Sequence, residues 1–327
     1  MFRGFSFSSA GIKELKDPQE ALSCVKDSKQ CLWIDLEDAT ETEIDFLIDE
    51  FNFHPLSIED AILPQDHAKI EEFDNYIFIT LYALSYAQTI NTHELNIFFG
   101  RNYVITFHET KLSSMSKLIN RVVALSKKDD YNNRGYNMGK GADTILHSII
   151  DTLVDEYYPI IDKIEVNIAE LEDRILEEKQ ANIMEDTLQQ KRNILVLRKF
   201  IYLEKQVLAR LVKDKVRYIK PANITYFRDV FDHISNMQET LEILREVVPS
   251  LIESYHSMSS KKLNQLIHRL TIMATVAIPM TVITSFYGMN LELPEFKWGI
   301  WGYVFMLLLL VGSSLGTYIV LKLKKWL

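Results

Sequence analysis

A short motif near the end of the chain, Tyr287-Gly288-Met289-Asn290, places a polar side chain directly after a long apolar segment. The Asn290 amide offers a neutral carbonyl oxygen, which accepts hydrogen bonds without carrying charge. A ring of such oxygens, one from each of several copies of a chain, would suit the water shell of a hydrated cation, whereas carboxylates would hold a divalent cation too tightly to release it. Taken alone, the motif fits a helix C-terminus better, with Asn290 as the cap and Gly288 loosening the last turn.

The apolar segment before this motif carries a stripe of residues separated by steps of three and four. Steps of this size place side chains on one face of a helix. The stripe begins and ends with a polar residue and is otherwise apolar: Asn264, Ile267, Leu270, Ala274, Ile278 and Thr281. From the residues alone, this face could lie against lipid, against a neighbouring helix or along a pore.

Two segments near the C-terminus are long and apolar enough to cross a membrane. Residues 270–291 and 299–321 contain no Asp, Glu, Lys, Arg or His. Because a helix rises about 1.5 Å per residue, each segment can cross a hydrocarbon core of about 30 Å. The short connection between them predicts a transmembrane hairpin over 269–327. Its parts are a first span at about 269–289, an outer loop at 290–298, a second span at about 299–321, and a basic tail.

Basic residues flank both spans and are scarce between them. The positive-inside rule therefore predicts both termini in the cytoplasm and the loop outside, as in a multi-pass protein of the inner (plasma) membrane. In the loop, Glu292 and Glu295 could attract cations to the outer mouth, although a plain polar loop explains them equally well. The basic residues are Lys261, Lys262 and Arg269 before the hairpin, and Lys322, Lys324 and Lys325 after it.

A long amphipathic helix is predicted immediately before the first span. Its apolar residues repeat every seven positions, which is typical of a coiled-coil or bundle-core helix. The pattern predicts one helix over 224–286, which Pro249 could kink. With two earlier helices, at about 142–178 and 182–213, it forms a helical stalk region over 136–268 whose last helix continues into the membrane. The two repeating series are Phe227, Ile234, Leu241, Val248 and Tyr255, and Val230, Met237, Leu244, Leu251 and Met258.

Residues 1–135 have a different pattern, in which short runs rich in β-branched and aromatic residues predict strands. These runs are CLWIDLED, NYIFITLYALSY, LNIFFG and YVITFHE, with a hairpin turn predicted at Gly100-Arg101-Asn102. Helices are predicted at 41–51 and 113–126, and a polar linker at 128–141. The expected fold class is α+β: an N-terminal cytoplasmic α/β domain, a helical stalk and a C-terminal two-helix transmembrane hairpin.

Composition excludes some classes of function. The net charge of −9 disfavours a nucleic-acid partner, which would require a basic surface. The two cysteines, Cys24 and Cys31, match no zinc or redox spacing. The N-terminus lacks the basic region and apolar core of a signal peptide.

Several segments together resemble the CorA family of magnesium channels and transporters, whose signature is Gly-Met-Asn at the outer end of the first of two C-terminal spans. Residues 261–290, which end in Gly288-Met289-Asn290, resemble the inner pore helix of this family. The resemblance extends to 54–60 (HPLSIED), to 226–230 (YFRDV) and to the tail at 324–327 (KKWL). It therefore covers essentially the whole chain.

The resemblance implies both a function and an assembly. A member of this family would be a Mg²⁺-gated channel that passes hydrated Mg²⁺, and also Co²⁺ or Ni²⁺, as a funnel-shaped homopentamer in the lipid bilayer. The motif ending in Asn290 would be the selectivity filter, and the stripe that starts at Asn264 would line the pore. Its residues Ile267, Leu270 and Ile278 would form apolar constrictions that close by excluding water. Mg²⁺ would be both the cargo and a regulatory ligand.

The resemblance also implies a cytoplasmic metal-sensing site made of Asp60 and Asp229, with Glu59, Asp151 and His233 as neighbours. Asp229 and His233 are one helical turn apart and lie off the apolar series, so both are available to a partner. Acids that face each other across a subunit interface repel unless a divalent cation bridges them. Any one of these acids, taken alone, is better explained as an ordinary solvated charge.

Three other functions compete with this interpretation. A transporter of zinc or another transition metal on the same scaffold would favour imidazole and thiolate ligands, which the predicted pore face lacks, with His268 the nearest. A membrane-anchored enzyme is disfavoured because the sequence contains no nucleophile elbow, phosphate loop or HExxH motif. A coiled-coil tether would explain the heptad repeat but not the Gly-Met-Asn motif.

Overall fold

A computed structural model gives the structure of residues 1–8, 11–15, 17–27, 29–65, 67–127, 140–177, 182–290, 293–324 and 326. This part of the chain divides into two compact units, Met1–Ile252 and Glu253–Leu327. The domain boundaries expected from the sequence, at 135/136 and 268/269, do not coincide with the division between these two units, and they stay predictions. Most of the predicted linker, as well as Glu292 and Lys325, lies outside the described residues.

A seven-stranded sheet forms the centre of the first unit, in the order β2-β1-β3-β7-β6-β5-β4. All neighbouring strands are antiparallel except β3 and β7, which are parallel. The strands are β1 (Phe2–Ser8), β2 (Gly11–Leu15), β3 (Cys31–Glu37), β4 (Lys69–Glu72), β5 (Tyr76–Tyr86), β6 (Ile90–Gly100) and β7 (Tyr103–His108).

The four sequence runs that predict strands correspond to β3, β5, β6 and β7. Strands β6 and β7 are joined through Arg101 and Asn102 and pair with Phe99 opposite Val104, as the predicted hairpin turn requires. Strands β1, β2 and β4 were not predicted from the sequence. Strands β2 and β4 are too short to show a clear periodicity, whereas β1 is as long as β3 and forms by pairing with both β2 and β3.

Helices cover the sheet and fill its core. Side chains from α1, α2 and α3 pack with alternate strand residues such as Ile34, Phe78 and Phe98 in one hydrophobic core. Helix α4 contacts α5, and α5 and α7 contact the strands. A capping box at Thr40 and Glu43 starts α2. These helices are α1 (Pro18–Lys26), α2 (Glu41–Phe51), α3 (Pro55–Ile62), α4 (Ser113–Ser126), α5 (Ala142–Asp155), α6 (Tyr158–Leu176) and α7 (Ile183–Lys213).

The single helix predicted over 142–178 is wrong, because the structure contains two helices, α5 and α6, separated at Glu156 and Tyr157. Pro159 lies in the first turn of α6. Proline has no backbone N–H to continue an existing helix but is well tolerated at a helix start. The Tyr157 side chain at this break is fully buried.

Helix α8 (Ile224–Tyr287) confirms the predicted long helix and is not interrupted at Pro249. A short 3-10 helix, Pro221–Asn223, precedes it. The heptad residues are buried from Phe227 to Leu251, whereas Tyr255 and Met258 are only half-buried. Packing of the apolar series therefore ends where the first unit ends.

The second unit contains the last part of α8, a 3-10 helix (Pro294–Trp298) in the predicted outer loop, and α9 (Ile300–Leu323). Both α8 and α9 contain a stretch that is long and apolar enough to cross a membrane. Helix α9 extends two residues beyond the predicted end of the second span.

Candidate functional site

Acidic and imidazole side chains meet where α5 and α8 approach each other in the first unit. His147, Asp151 and Asp155 are spaced by four along α5 and so share one face of that helix. One ligand atom each of Asp151, Asp155 and His233 lies within 4.8 Å of the other two. The structure thus brings together two residues of the predicted sensing site, Asp151 and His233, and adds Asp155.

The electrostatics of this group suit a bound cation. Burial raises the pKa of Asp155 and the charge of Asp151 adds to the shift, although His233 and Arg121 oppose it. The Nδ1 atom of His233 is buried and has no hydrogen-bond partner among the described residues. A divalent cation would relieve the repulsion between the two carboxylates, whereas the imidazole of His233 is a ligand that suits transition metals better than Mg²⁺.

Asp229 lies beside this group on α8 and is exposed. Burial lowers the pKa of His147, while the charges of Asp151 and Asp229 act in the opposite direction. Burial also raises the pKa of Tyr158, with contributions from Asp155 and Asp229. Asp229 therefore shares the electrostatic environment of the α5–α8 group.

Asp60 and Glu59 lie elsewhere, near the end of α3. Asp60 forms an ion pair with Lys69 and accepts a hydrogen bond of 3.2 Å from the Gln65 side chain. Glu59 is exposed. Within one chain, no hydrogen bond or ion pair joins Asp60 to Asp229 in the described segments. The structure therefore does not assemble these two predicted sensor residues inside a single subunit.

The predicted pore stripe is uncovered in the second unit. All six residues, from Asn264 to Thr281, are exposed in the single chain. Leu270 is 65% exposed and Ile278 is 57% exposed, which is unusual for bulky apolar side chains. Nothing in the described part of one chain covers this face.

The motif at the outer end of α8 leaves the helix after Tyr287, which is half-buried. The Gly288 N–H still donates to the Thr284 carbonyl at 3.0 Å, and the Met289 N–H donates to the Phe286 carbonyl at 3.3 Å. Asn290 is exposed, and its side chain makes no hydrogen bond to any described residue. The side-chain amide thus does not cap α8 in this structure.

The outer loop packs on the start of α9. A Cβ atom on Gly302 would lie 2.4 Å from the Glu295 carbonyl oxygen, so only glycine fits there without a shift. The rings of Trp298 and Phe305 lie 6.0 Å apart. These contacts fix the loop that follows the Gly-Met-Asn motif.

Comparison with known proteins identifies the family. The family model described as CorA-like Mg²⁺ transporter protein matches residues 28–325. The chain belongs to the CorA family. It is 34% identical to the cobalt/magnesium transport protein CorA of Thermotoga maritima, over 98% of this chain and 91% of that protein. It is also 26% identical to the zinc transport protein ZntB of Pectobacterium carotovorum, over 56% of this chain and 55% of that protein.

The complete structure of the CorA magnesium transporter from Methanocaldococcus jannaschii has the same fold. It matches with a TM-score of 0.82 at 20% identity, over 100% of this chain and 99% of that chain. The predicted resemblance and fold class are confirmed. The CorA-family chain is a membrane protein with two C-terminal transmembrane helices, and it is a divalent metal ion transporter rather than an enzyme.

Two residues of the candidate sites were missed in the sequence. Asp155 could have been found from its spacing, since it follows Asp151 by one helical turn. Lys69 carries no such signal, because its pairing with Asp60 depends on how β4 packs beside α3.

Proposed function

We propose that this CorA-family chain forms a homopentameric, Mg²⁺-gated channel that passes hydrated Mg²⁺ into the cytoplasm, with Co²⁺ and Ni²⁺ as further cargo. The observation that supports it most is the uncovered stripe on α8, together with the exposed Asn290 amide just beyond the end of this helix. Two helices from one chain cannot enclose a pore. Several copies of the stripe, arranged in a ring, would bury these apolar residues and would place one Asn290 per subunit around the entrance.

The proposed filter recognises the water shell of the ion. Mg²⁺ gives up its waters reluctantly, so a filter that binds it without full dehydration must accept hydrogen bonds from water. The Asn290 carbonyl is a neutral acceptor, which favours both binding and release. Below the filter, rings of Ile278, Leu270 and Ile267 would close the pore by excluding water.

Regulation would use the acids of the first unit. Asp151, Asp155 and His233 would hold one regulatory Mg²⁺ beside Asp229, and Asp60 of one subunit would face Asp229 of the next, with Glu59 nearby. The ion must bind the closed assembly more tightly than the open one if it is to favour closure. At low Mg²⁺ the unbridged carboxylates would repel and loosen the subunits.

Both termini would lie in the cytoplasm and the loop outside the inner (plasma) membrane, in accordance with the basic residues that flank the hairpin. The inside-negative membrane potential would supply the driving force, at about 2.3 kcal/mol per charge per 100 mV.

A zinc transporter is the second candidate, and similarity to ZntB over half of the chain favours it. The chemistry of the stripe disfavours it, because none of its six residues has an imidazole or thiolate. His268, the nearest imidazole, lies with its Nε2 atom 2.6 Å from the Trp326 carbonyl oxygen.

The full-length protein in liposomes tests the filter. We expect an inside-negative potential to drive Mg²⁺ into vesicles that contain a Mg²⁺-sensitive dye. Asn290→Ala should abolish this uptake because it removes the acceptor for the water shell, and the oligomer should stay intact by size-exclusion chromatography. Asn91→Ala, which changes an exposed asparagine at the edge of β6, is the matched control.

Normal Mg²⁺ uptake by Asn290→Ala would disprove the filter role. Uptake of Zn²⁺ in preference to Mg²⁺ by the unchanged protein would instead favour the second candidate.

A further inference from the structure

A cavity of about 290 Å³ opens in the α/β part of the first unit, lined by none of the residues of the α5–α8 group or of the α8 stripe. It lies at the end of β7. The last turn of α3, the segment after it, and residues on β5, β6 and α7 complete its walls. Strands β3 and β7 are the parallel pair of the sheet. The carboxyl ends of parallel strands are where α/β folds most often bind ligands. The polar residues that matter in its lining are Gln65, Tyr82, His93, Glu94, His108 and Glu109.

Glu94 is a half-buried carboxylate in this wall without a cationic partner. Its Oε1 atom accepts a hydrogen bond from the Gln65 backbone N–H and lies 3.2 Å from the Tyr82 hydroxyl, whose nearer acceptor, at 2.5 Å, is the Gln65 carbonyl oxygen. No lysine, arginine or histidine forms an ion pair with it in the described part of the chain. Burial raises the pKa of Glu94, although hydrogen bonds from Gln65, Tyr82 and Asn96 oppose the shift, and the neighbouring charge of Glu109 contributes a smaller increase. The two carboxylates therefore repel each other around one cavity.

His108 in the same wall does not supply the missing cation. Its Nε2 atom lies 3.2 Å from the Asp35 carboxylate, and its Nδ1 atom lies 2.7 Å from the Thr110 carbonyl oxygen. Both ring nitrogens thus face acceptors, so the doubly protonated ring satisfies both contacts. Asp35 balances the charge of this ring, so His108 is not an ion-pair partner for Glu94. Both ring nitrogens already form hydrogen bonds, so neither can bind a metal ion.

His93 completes the polar wall. Its Nδ1 atom lies 3.1 Å from the Thr110 hydroxyl. When Nδ1 carries the proton and donates it to that hydroxyl, the Nε2 atom becomes a hydrogen-bond acceptor. Glu94, Glu109 and His93 then present acceptors to the cavity from two strand ends.

The spacing of these groups decides which kind of cation could bind. Among the described residues, Asp151, Asp155 and His233 are the only three acids, histidines or cysteines whose ligand atoms all lie within 4.8 Å of one another. The groups around the cavity are therefore too far apart to coordinate a bare ion together. Six waters occupy roughly 180 Å³ at about 30 Å³ each. A hydrated ion therefore fits the cavity, and its water hydrogens would meet acceptors on the wall.

We propose that this cavity binds one divalent cation with its water shell intact, through hydrogen bonds from the shell to Glu94, Glu109 and His93. Mg²⁺ suits the site because it gives up its waters reluctantly. Gln65 links the cavity to Asp60, since its backbone N–H binds Glu94 and its side chain binds Asp60 at 3.2 Å. An ion in the cavity would keep Glu94 ionised and so strengthen its bond to Gln65, next to Asp60.

Hexaamminecobalt(III) tests this proposal, because its ammine shell resembles hydrated Mg²⁺ and does not exchange for protein ligands. Its binding to full-length protein in detergent would be measured by equilibrium dialysis and metal analysis, in an Asn290→Ala background that removes the proposed filter. We expect one bound ion per chain that Mg²⁺ displaces. Glu94→Gln and Glu109→Gln should each weaken its binding at least about tenfold, the effect of losing a hydrogen bond to a charged group.

Glu72→Gln, which removes a charge from an exposed residue of β4, is the matched control. The Glu94→Gln variant keeps a side-chain oxygen for the Gln65 and Tyr82 donors, and Glu109 is exposed, so both cavity variants should fold. Equal binding by the Glu94, Glu109 and Glu72 variants would overturn the proposal. If Ni²⁺ or Co²⁺ ions bind but the ammine complex does not, the claim that the ion keeps its water shell in the cavity is wrong. This experiment measures ion binding to a variant that lacks the proposed filter. Its result therefore does not depend on whether the uptake experiment supports the filter role of Asn290.

Discussion

Glu204 is a buried acid that the proposed transport function does not use. It lies on α7 and is almost completely buried. Its Oε1 atom accepts the Tyr82 N–H at 2.8 Å, and its Oε2 atom lies 2.7 Å from the Tyr157 hydroxyl, which also contacts the Tyr82 carbonyl oxygen. If the acid is protonated, it donates to Tyr157, and Tyr157 donates to Tyr82, so that every polar atom has a partner. The neutral acid thus joins α7, β5 and the break between α5 and α6.

Stability should therefore fall with rising pH through this one group. Burial raises the pKa of Glu204 to about 8, against the ordinary 4.5, although the hydrogen bonds from Tyr82 and Tyr157 oppose the shift. The native state keeps the proton at a pH where the unfolded chain has lost it, so the stabilisation is complete below pH 4.5 and is lost as the pH rises to about 8. In Glu204→Gln this component should be absent, because the amide stays neutral at every pH.

The midpoint of thermal unfolding of the full-length protein, measured between those two pH values, checks this prediction. Glu170→Gln, at an exposed position on α6, should keep the pH dependence of the unchanged protein. If Glu204→Gln and Glu170→Gln show the same slope against pH, Glu204 is not a proton-binding group in the native state.

At the scale of elements, the outer loop depends on one glycine of α9. The Glu295 carbonyl oxygen approaches Gly302 so closely that a Cβ atom would lie 2.4 Å away, whereas a Cβ on Gly312 of the same helix would meet nothing within 4 Å. An alanine normally stabilises a helix relative to glycine by about 1 kcal/mol. Alanine substitutions at Gly302 and Gly312 therefore distinguish a change in helix stability, expected at both positions, from a displacement of the loop, expected only at Gly302.

Gly302→Ala should displace the loop after Asn290 and reduce Mg²⁺ uptake in liposomes several-fold, while Gly312→Ala should leave uptake unchanged. Thermal unfolding of both variants shows whether the hairpin itself is preserved. Equal uptake by the two variants would mean that the contact between the loop and α9 is not needed for transport.

At the scale of the whole molecule, each chain leaves apolar and acidic surfaces that other copies or the bilayer would cover. The α8 stripe is exposed, and Asp60 and Asp229 are not brought together within one chain. In the proposed pentamer the stripes would meet around the pore and the two acids would face each other between subunits. Mg²⁺ bound between them can favour the closed assembly only by the difference between its binding free energies for the closed and the open state.

Asp229→Asn should weaken this preference by about 1–3 kcal/mol, the usual range of allosteric coupling. The variant removes a charge with little change of shape, so more Mg²⁺ should be needed to close the channel and to protect the stalk against limited proteolysis. Asp232→Asn, an exposed neighbour on α8, is the control. An unchanged Mg²⁺ dose response in both assays would place the sensor elsewhere.

Local patterns in the sequence were sufficient for the elements that repeat or run long. The heptad series and the apolar span that follows it together predicted α8 to within one residue at its end, because the two patterns persist over many turns. The two apolar segments predicted the membrane hairpin, since a helix satisfies its backbone hydrogen bonds within its own segment in lipid. The Gly-Met-Asn motif, in its position, was sufficient to indicate the family.

Tertiary structure alone decided the features that join residues far apart in the chain. Tyr157 and Glu204 are 47 residues apart, and Tyr157 is 75 residues from Tyr82, so no local pattern predicts their network or the helix break beside it. The group of Asp151, Asp155 and His233 requires α5 and α8 to pack side by side. The cavity at Glu94 exists only once β6, β7 and the segment after α3 are in place. Sequence periodicity records which face of an element is apolar, whereas the partner of each polar side chain is set by how those faces pack.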